Sequence, residues 1–217
     1  MNAPARFMLR LAFCCLAILS VSLPAAAQDK RDFDYREIPQ QPIETGDKIE
    51  VIDFFFYGCQ YCNELLPRLE RWRQRSKPED VVLRHYPVVR HDSWVPLAKT
   101  YFTLEAMGEV ERLHTAVFRS YHVEDLYMSQ EKVISEWAAK NGLDREKFMA
   151  IYRSDETRQK VERARKLTVD YDIQGTPSLV VDGRLLTDGS SSKTIDILDR
   201  MIRIARQQRE KAAKSGK

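Results

Sequence analysis

The 217-residue sequence contains few cysteines and has almost no excess charge of either sign. Its 35 lysines and arginines nearly cancel its 32 aspartates and glutamates, so no strong electrostatic footprint indicates a nucleic-acid partner. Four cysteines are too few for a scaffold stapled by many disulfide bonds. The sequence also contains no internal repeat. With 43% hydrophobic and 10% aromatic residues, however, it can form a packed globular core.

The first 27 residues have the pattern of a secretory signal peptide. Arg6 and Arg10 precede an apolar stretch at residues 11–23, and small residues follow at Ala25 and Ala27. This apolar stretch is shorter than the roughly 20 residues that a membrane-spanning helix needs, which disfavours a retained anchor. We predict that residues 1–27 are removed by cleavage after Ala27 and that the remainder is exported.

Cleavage would leave a single pair of cysteines, Cys59 and Cys62. It would remove Cys14 and Cys15 together with two arginines and no acid, leaving 33 basic residues against 32 acidic ones. A single, closely spaced pair of cysteines in an exported chain indicates a functional role rather than stabilisation of the fold by disulfide bonds.

The residues around the pair predict a strand followed by a helix. A polar lead-in at residues 28–46, with one short strand expected, precedes residues 48–57, which are β-branched and aromatic. Apolar side chains occupy both faces of this segment, except at Asp53, which predicts a central strand covered on both sides. Apolar residues then recur at helical spacing in residues 63–75, so Cys59 would lie at a helix N-terminus.

The rest of the chain predicts a helical segment followed by a second α/β segment. Three amphipathic stripes between residues 97 and 169 predict helices, with Ser129, Asp144 and Ser154 as N-caps. The dipeptide Asp182-Gly183 between two short apolar runs predicts a type I′ hairpin.

We therefore predict one α/β sheet that is assembled from both ends of the chain, with a helical domain inserted between its halves. Residues 80–89 form a strand of the first half, and residues 192–208 form the last helix. The predicted divisions are a first half at 47–92, a helical insert at 93–170, a second half at 171–208 and a charged, frayed tail at 209–217.

The position of Cys59 predicts a reactive thiolate. Unpaired N–H groups and the dipole of the helix stabilise a negative sulfur at its N-terminus, which lowers the pKa of that thiol. Cys62, one turn further on, would be more buried and would act as the resolving partner. A zinc site is disfavoured because two cysteines and four scattered histidines make a poor ligand set. A purely structural disulfide closing so short a loop would add little stability.

Two further features accompany the pair. Asp53 would be buried among phenylalanines, where a lone carboxylate is costly unless it is hydrogen-bonded or protonated. It is predicted to accept a proton from Cys62, and the alternative is an edge position with access to water. Pro177, in the sequence "GTPS" before the hairpin strand, is placed where a cis peptide bond could lie beside an active site.

The motifs "FFFYGCQYCNELLP" and "GTPSLVVDG" resemble those of the DsbA-type thiol:disulfide oxidoreductases of the thioredoxin superfamily. The resemblance covers residues 47–208 and implies a thioredoxin fold with a helical insert. It makes Cys59 the exposed nucleophile, Cys62 the resolving cysteine and Asp53 the buried acid. Pro177 is then the cis-proline facing the disulfide, and the backbone of Thr176 pairs with a substrate chain as an added strand.

The resemblance also implies location and partners. It predicts a periplasmic monomer that oxidises unfolded or reduced exported proteins and is reoxidised by a DsbB-like membrane protein. No metal and no bound cofactor are expected. The helical insert is expected to cap the site and to shape an apolar groove for unfolded chains.

Gln60 and Tyr61 depart from the Pro-His that the family's oxidants typically carry between the cysteines. Without a cationic imidazole we predict a Cys59 pKa below that of a free thiol but above those of the family's most acidic members. Three activities remain open: an oxidase, a reductase or isomerase of the same fold, and a non-catalytic peptide-binding or chaperone module.

Overall fold

A computed structural model of the protein describes residues 34–215. The predicted signal peptide, the first six residues of the lead-in and the last two residues of the tail lie outside this range. The described residues form five strands and seven α-helices, with a short 3-10 helix at Asp92–Trp94. The strands are β1 (Arg36–Glu37), β2 (Ile49–Phe55), β3 (Val81–Pro87), β4 (Ser178–Val181) and β5 (Leu185–Asp188). The helices are α1 (Gln60–Arg75), α2 (Val95–Met107), α3 (Val110–His122), α4 (Glu131–Lys140), α5 (Arg145–Tyr152), α6 (Asp155–Asp170) and α7 (Thr194–Ser215).

The strands form one mixed sheet in the order β1-β5-β4-β2-β3. β2 pairs with β3 in parallel and with β4 antiparallel, so strands from both ends of the chain meet at the centre of the sheet. All seven residues of β2 are buried, as the two-sided apolar pattern predicted. Helices α2 to α6 all fall between β3 and β4 in the chain.

β2 contributes side chains to two hydrophobic cores, one on each side of the sheet. Ile49 and Val51 pack with residues of α1 and α7, including Trp72. Ile52 and Phe54 pack in the larger core, which includes residues of the helical segment. Burial on both sides explains why this strand lacks the alternation of polar and apolar residues that a half-exposed strand shows.

The hairpin between β4 and β5 has the predicted turn. Asp182 and Gly183 both have positive φ, at 55° and 71°, as a type I′ turn requires. A side chain at Gly183 would also lie 2.4 Å from the carbonyl oxygen of Gln41, so the residue has to be glycine for two reasons.

Two of the three predicted N-caps are confirmed. The Asp144 carboxylate accepts a hydrogen bond from the Lys147 N–H, and the Ser154 hydroxyl accepts one from the Thr157 N–H. The prediction of Ser129 is wrong by one residue, because α4 begins after Gln130, whose side chain makes no capping bond.

Replacing Ser154 by alanine is expected to lower the free energy of unfolding by about 1 kcal/mol, because the Thr157 N–H at the start of α6 loses its partner at 3.1 Å. Urea unfolding of the purified protein would measure this change. Gln130→Ala is the matched control, since that N-cap makes no side-chain bond to lose. Equal losses in both variants would contradict the capping role of Ser154.

The predicted frayed tail is wrong as far as Ser215, because α7 continues to that residue. Arg209, the first residue of the predicted tail, is attached to the rest of the protein: its Nε donates to the Asp182 carboxylate at 2.8 Å and its Nη1 to the Asp47 carbonyl at 2.7 Å. These bonds attach the charged end of the helix to the β4–β5 turn and to the start of β2. Within residues 34–215, no helix is both long and apolar enough to span a bilayer.

Candidate active site

Cys59 is the N-cap residue of α1, as predicted. Its backbone is extended, with φ −89° and ψ 119°, and its side chain makes no capping bond. Its N–H donates to the Phe56 carbonyl at 2.9 Å, which closes the turn between β2 and the helix. Both cysteines are free in this structure; Cys59 is half-buried and Cys62, in the first turn of α1, is only 3% exposed. The more accessible sulfur is therefore the one at the helix N-terminus.

The site lowers the pKa of Cys59 to about 5. The largest cause is a hydrogen bond from the Cys62 side chain, and burial opposes it. The Thr176 side chain and the backbone N–H groups of Cys62 and Tyr61 lower the pKa further. The predicted direction is confirmed, and Cys59 is a thiolate at neutral pH.

The pKa of Cys62 moves in the opposite direction. Burial raises it most, followed by the hydrogen bond to Cys59 and the negative charge of Asp53. At neutral pH the pair thus consists of an accessible thiolate and a buried, protonated thiol that donates to it. A nucleophilic cysteine has to be an accessible thiolate, whereas a resolving cysteine can stay buried and protonated until the disulfide re-forms.

Thr176 and Pro177 lie directly against the nucleophile. The Cys59 sulfur is 3.1 Å from the Thr176 carbonyl oxygen, although the two residues are 117 positions apart in the chain. The peptide bond between Thr176 and Pro177 is cis. Sheet pairing brings them to the site: Ser178, the next residue, opens β4 opposite Phe54 of β2.

Asp53 lies in the middle of β2, between Leu179 of β4 and His85 of β3. It is 4% exposed, which confirms the predicted burial and rules out the edge position with access to water. Its Oδ2 is 2.9 Å from His85 Nδ1, whereas its Oδ1 has no hydrogen-bond partner within the described part of the chain. A buried carboxylate with one free oxygen is well placed to take up or release a proton.

Sequence reasoning missed a group of buried polar side chains beside Asp53. The His85 ring lies 4.9 Å from that of His114, centroid to centroid, and His114 Nδ1 is 2.8 Å from the Tyr57 hydroxyl. Burial lowers the pKa of His114 and raises that of Tyr57, so both are neutral. The position of His85 would follow from the register of β2 and β3, which the sequence alone does not specify. Across residues 34–215, no three His, Cys, Asp or Glu side chains are grouped to hold a metal ion.

Aromatic side chains border the two cysteines. Phe56 stacks on Trp94 with centroids 3.8 Å apart, and Tyr61 is 56% exposed. A Cβ at Gly58 would lie 2.6 Å from the Phe56 ring and 3.1 Å from the Tyr121 hydroxyl, so only glycine allows this close packing. The helical segment reaches the site here through Tyr121 of α3, whereas the prediction that it caps the site stays a prediction.

A groove of about 670 Å³ opens beside Pro177, but it differs from the predicted one. Its walls come from three segments, from Tyr61 of α1 and from Ile197 of α7; no residue of α2 to α6 lines it. The segments are Asp34–Arg36, Gln174–Ser178 and a third that includes Leu186–Asp188, Ser190 and Ser191. Many of these residues are polar. The apolar groove predicted at the helical insert is a separate feature and stays a prediction.

A protein-family model described as a DSBA-like thioredoxin domain matches residues 50–198, and these residues include the cysteine pair, Asp53, Thr176 and Pro177. The chain belongs to the DsbA family. It is 35% identical over 177 residues to the thiol:disulfide interchange protein DsbA of Bordetella parapertussis, covering 82% of this chain and 84% of that protein. It is 30% identical over 189 residues to DsbA of Burkholderia cepacia, covering 85% and 89%.

Solved DsbA structures have the same fold. The crystal structure of Pseudomonas aeruginosa DsbA matches with a TM-score of 0.77 and 30% identity, covering 82% of this chain and 94% of that one. The oxidoreductase DsbA from Xylella fastidiosa matches with a TM-score of 0.74 and 28% identity, covering 80% and 96%. The protein is therefore a DsbA-family thiol:disulfide oxidoreductase with a thioredoxin fold and a helical insert, as its cysteine and proline motifs predicted.

Proposed function

We propose that this protein introduces disulfide bonds into reduced proteins exported to the periplasm, using Cys59 and Cys62 as its redox-active pair. The observation that carries the direction of electron flow is the pKa of Cys59, lowered to about 5. A stabilised thiolate favours the reduced state of the pair, and this makes its disulfide an oxidant. The same thiolate is a good leaving group when the product is released.

The proposed reaction has two exchange steps. A substrate thiolate attacks the Cys59 sulfur of the oxidised pair, so that a mixed disulfide forms while the Cys59–Cys62 bond breaks. Cys62 leaves and takes up a proton, because the raised pKa of this buried thiol disfavours its thiolate. A second substrate thiolate then attacks the substrate sulfur of the mixed disulfide and expels the Cys59 thiolate. Two electrons pass from the substrate dithiol to the pair.

The neighbouring residues have separate roles in this proposal. Asp53 relays a proton from solvent to Cys62 and carries it away on reoxidation, through the carboxylate oxygen that has no hydrogen-bond partner, so the net uptake on reduction is the one proton on Cys62. The backbone of Thr176 pairs with the extended substrate chain, and Pro177 packs beside the reacting sulfur. The groove beside Pro177 receives the substrate residues that flank its cysteine.

The proposal extends to processing and partners. Residues 1–27 are removed as a signal peptide, and the mature protein acts as a monomer in the periplasm. Its helical insert at 93–170 separates the two halves of the thioredoxin fold, at 47–92 and 171–208. A DsbB-like membrane oxidoreductase returns the pair to its disulfide form, because each turnover leaves the two cysteines reduced.

A reductase is the second candidate, and Gln60 is the observation that favours it. The Gln60 side-chain amide donates to Glu64 Oε1 at 3.1 Å and brings no positive charge to the sulfurs. Since a cation between the cysteines would stabilise the thiolate, its lack makes the pair a weaker oxidant. The reduction potential of the pair, measured by equilibration with glutathione, separates the two candidates: a potential well above that of glutathione supports an oxidase, and one below it supports a reductase.

The same measurement across pH gives a further prediction. Above the Cys59 pKa of about 5, reduction takes up two electrons and one proton, so we expect the potential to fall by about 30 mV per pH unit. Below that pH both sulfurs are protonated on reduction, and the slope should double to about 60 mV per unit. Thiolate absorbance of the reduced parent protein, in which Cys62 stays protonated over this range, would provide an independent titration of Cys59. A constant slope of about 60 mV from pH 4 to 8 would mean that Cys59 titrates like an ordinary thiol.

A further inference from the structure

Gly189 lies directly against the ring of Pro177. It is the buried residue that follows β5, and its N–H donates to the Pro177 carbonyl at 2.9 Å. A Cβ at this position would lie 2.9 Å from both Cβ and Cγ of Pro177, and 3.0 Å from Leu65 Cδ2. Gly189 is not among the residues with positive φ. Glycine is therefore required here for space and not for backbone conformation.

Thr194 holds Gly189 from the other side. Thr194 is the first residue of α7 and is fully buried. Its hydroxyl lies 3.0 Å from the Gly189 carbonyl oxygen and 2.6 Å from that of Ser191, so its one hydrogen is shared between two carbonyl groups of the loop. A buried hydroxyl that binds two carbonyl groups fixes the loop relative to the helix.

These contacts form a continuous path to the reacting sulfur. Thr194 binds Gly189, Gly189 binds and packs on Pro177, and the carbonyl of the adjoining Thr176 lies 3.1 Å from Cys59 Sγ. We propose that Gly189 and Thr194 are positioning residues, which hold the Thr176–Pro177 segment at its working distance from Cys59. This inference rests on the proposed function, in which that segment binds the substrate backbone beside the sulfur.

A methyl group at position 189 would clash with Pro177 and thereby disturb the Thr176–Pro177 segment. The Leu65 contact is with the end of a flexible side chain, which can turn away, whereas Pro177 presents a rigid ring attached to the backbone. The Thr176–Pro177 segment therefore has to move relative to Cys59. Such a shift changes the position of Thr176, whose carbonyl oxygen lies 3.1 Å from the Cys59 sulfur and which is one of the residues that lower the Cys59 pKa.

The test compares four variants of the mature protein: Gly189→Ala, Thr194→Val, Thr194→Ser and Lys193→Ala. Valine keeps the shape of Thr194 without its hydroxyl, serine keeps the hydroxyl, and Lys193 is an exposed control in the same loop. Three quantities are measured: Cys59 thiolate absorbance against pH, kcat and KM for oxidation of a reduced two-cysteine peptide, and the melting temperature.

We expect Gly189→Ala and Thr194→Val to raise the pKa of Cys59 and to lower kcat/KM about tenfold to a hundredfold, mainly through KM. Thr194→Ser and Lys193→Ala should match the parent protein in both quantities. If Gly189→Ala does not fold, Thr194→Val decides the question, because it introduces no clash.

A lower melting temperature with an unchanged Cys59 pKa and unchanged kcat/KM would overturn the proposal, since it would show a merely structural role. Parent-like behaviour of both variants would overturn it as well. Failure of the parent protein to oxidise the peptide would instead refute the proposed function, and the thiolate titrations of the variants would still decide whether Gly189 and Thr194 position the segment.

Discussion

Replacing Cys59 by serine is expected to abolish disulfide exchange, while leaving the fold intact. Cys59 is the more accessible of the two sulfurs and the one that is a thiolate at neutral pH, with a pKa of about 5. Cys62 cannot take its place, because it is 3% exposed and its burial keeps it protonated. Oxidative refolding of a reduced substrate protein would measure the loss. Serine differs from cysteine by one atom, so the melting temperature should change little.

Cys62→Ser is the matched variant and should fail differently. Its remaining Cys59 thiolate can attack a disulfide, but no second sulfur is within reach to resolve the product, so mixed disulfides with substrate should accumulate. Non-reducing electrophoresis would detect them, and the Cys59→Ser variant should show none. If Cys59→Ser still promoted correct refolding at the parent rate, the protein would be a peptide-binding or chaperone module rather than an oxidoreductase.

The central part of the fold could be predicted from local patterns because each pattern has one physical cause. β2 reads as apolar on both faces because it lies mid-sheet between two cores, and the Asp182-Gly183 turn is predictable because both residues must adopt positive φ. The two cysteines are only three positions apart, so their place at the start of a helix followed from the same reasoning. Pro177 was different: nothing local connects it to Cys59, and only the family resemblance brought the two together.

The remainder depended on contacts between segments that are distant in sequence. His85 faces Asp53 only because β3 pairs with β2 in one particular register, and a shift of one residue would turn it away. Gly189 looks like any turn glycine until the Pro177 ring is placed against it. α7 continues past residue 208, where the sequence pattern ended, and the ion pair between Arg209 and Asp182 fixes the helix to the β4–β5 turn at that point. Secondary-structure propensity and hydrophobic periodicity contain no information on contacts between residues that are distant in sequence.

Asp53 is the residue whose function and stability contributions can be separated most clearly. It shares β2 with a second buried acid, Glu50, which is 1% exposed. Glu50 Oε1 accepts from Arg84 Nη1 at 2.9 Å and from the Glu44 N–H at 3.2 Å, and neither Glu50 oxygen is buried without a partner. Asp53 instead leaves one carboxylate oxygen unpaired, and its charge raises the pKa of Cys62. A buried carboxylate oxygen without a hydrogen-bond partner lowers stability, so its presence in Asp53 indicates a role other than stability.

Replacing Asp53 by asparagine is therefore expected to slow exchange by about a hundredfold or more, the usual cost of losing a general acid or base. The amide has the same shape and can still bind His85, so the free energy of unfolding should change by less than about 1 kcal/mol. The Cys59 pKa should stay low, since the Cys62 side chain and Thr176 are its main favourable causes. Stopped-flow measurement of mixed-disulfide formation and thiolate titration would check both statements.

Glu50→Gln, the control on the same strand, should lower stability by weakening the Arg84 ion pair and leave the exchange rate unchanged. Exchange at the parent rate in Asp53→Asn would mean that the proton of Cys62 travels by another route and that the acid has no part in the reaction.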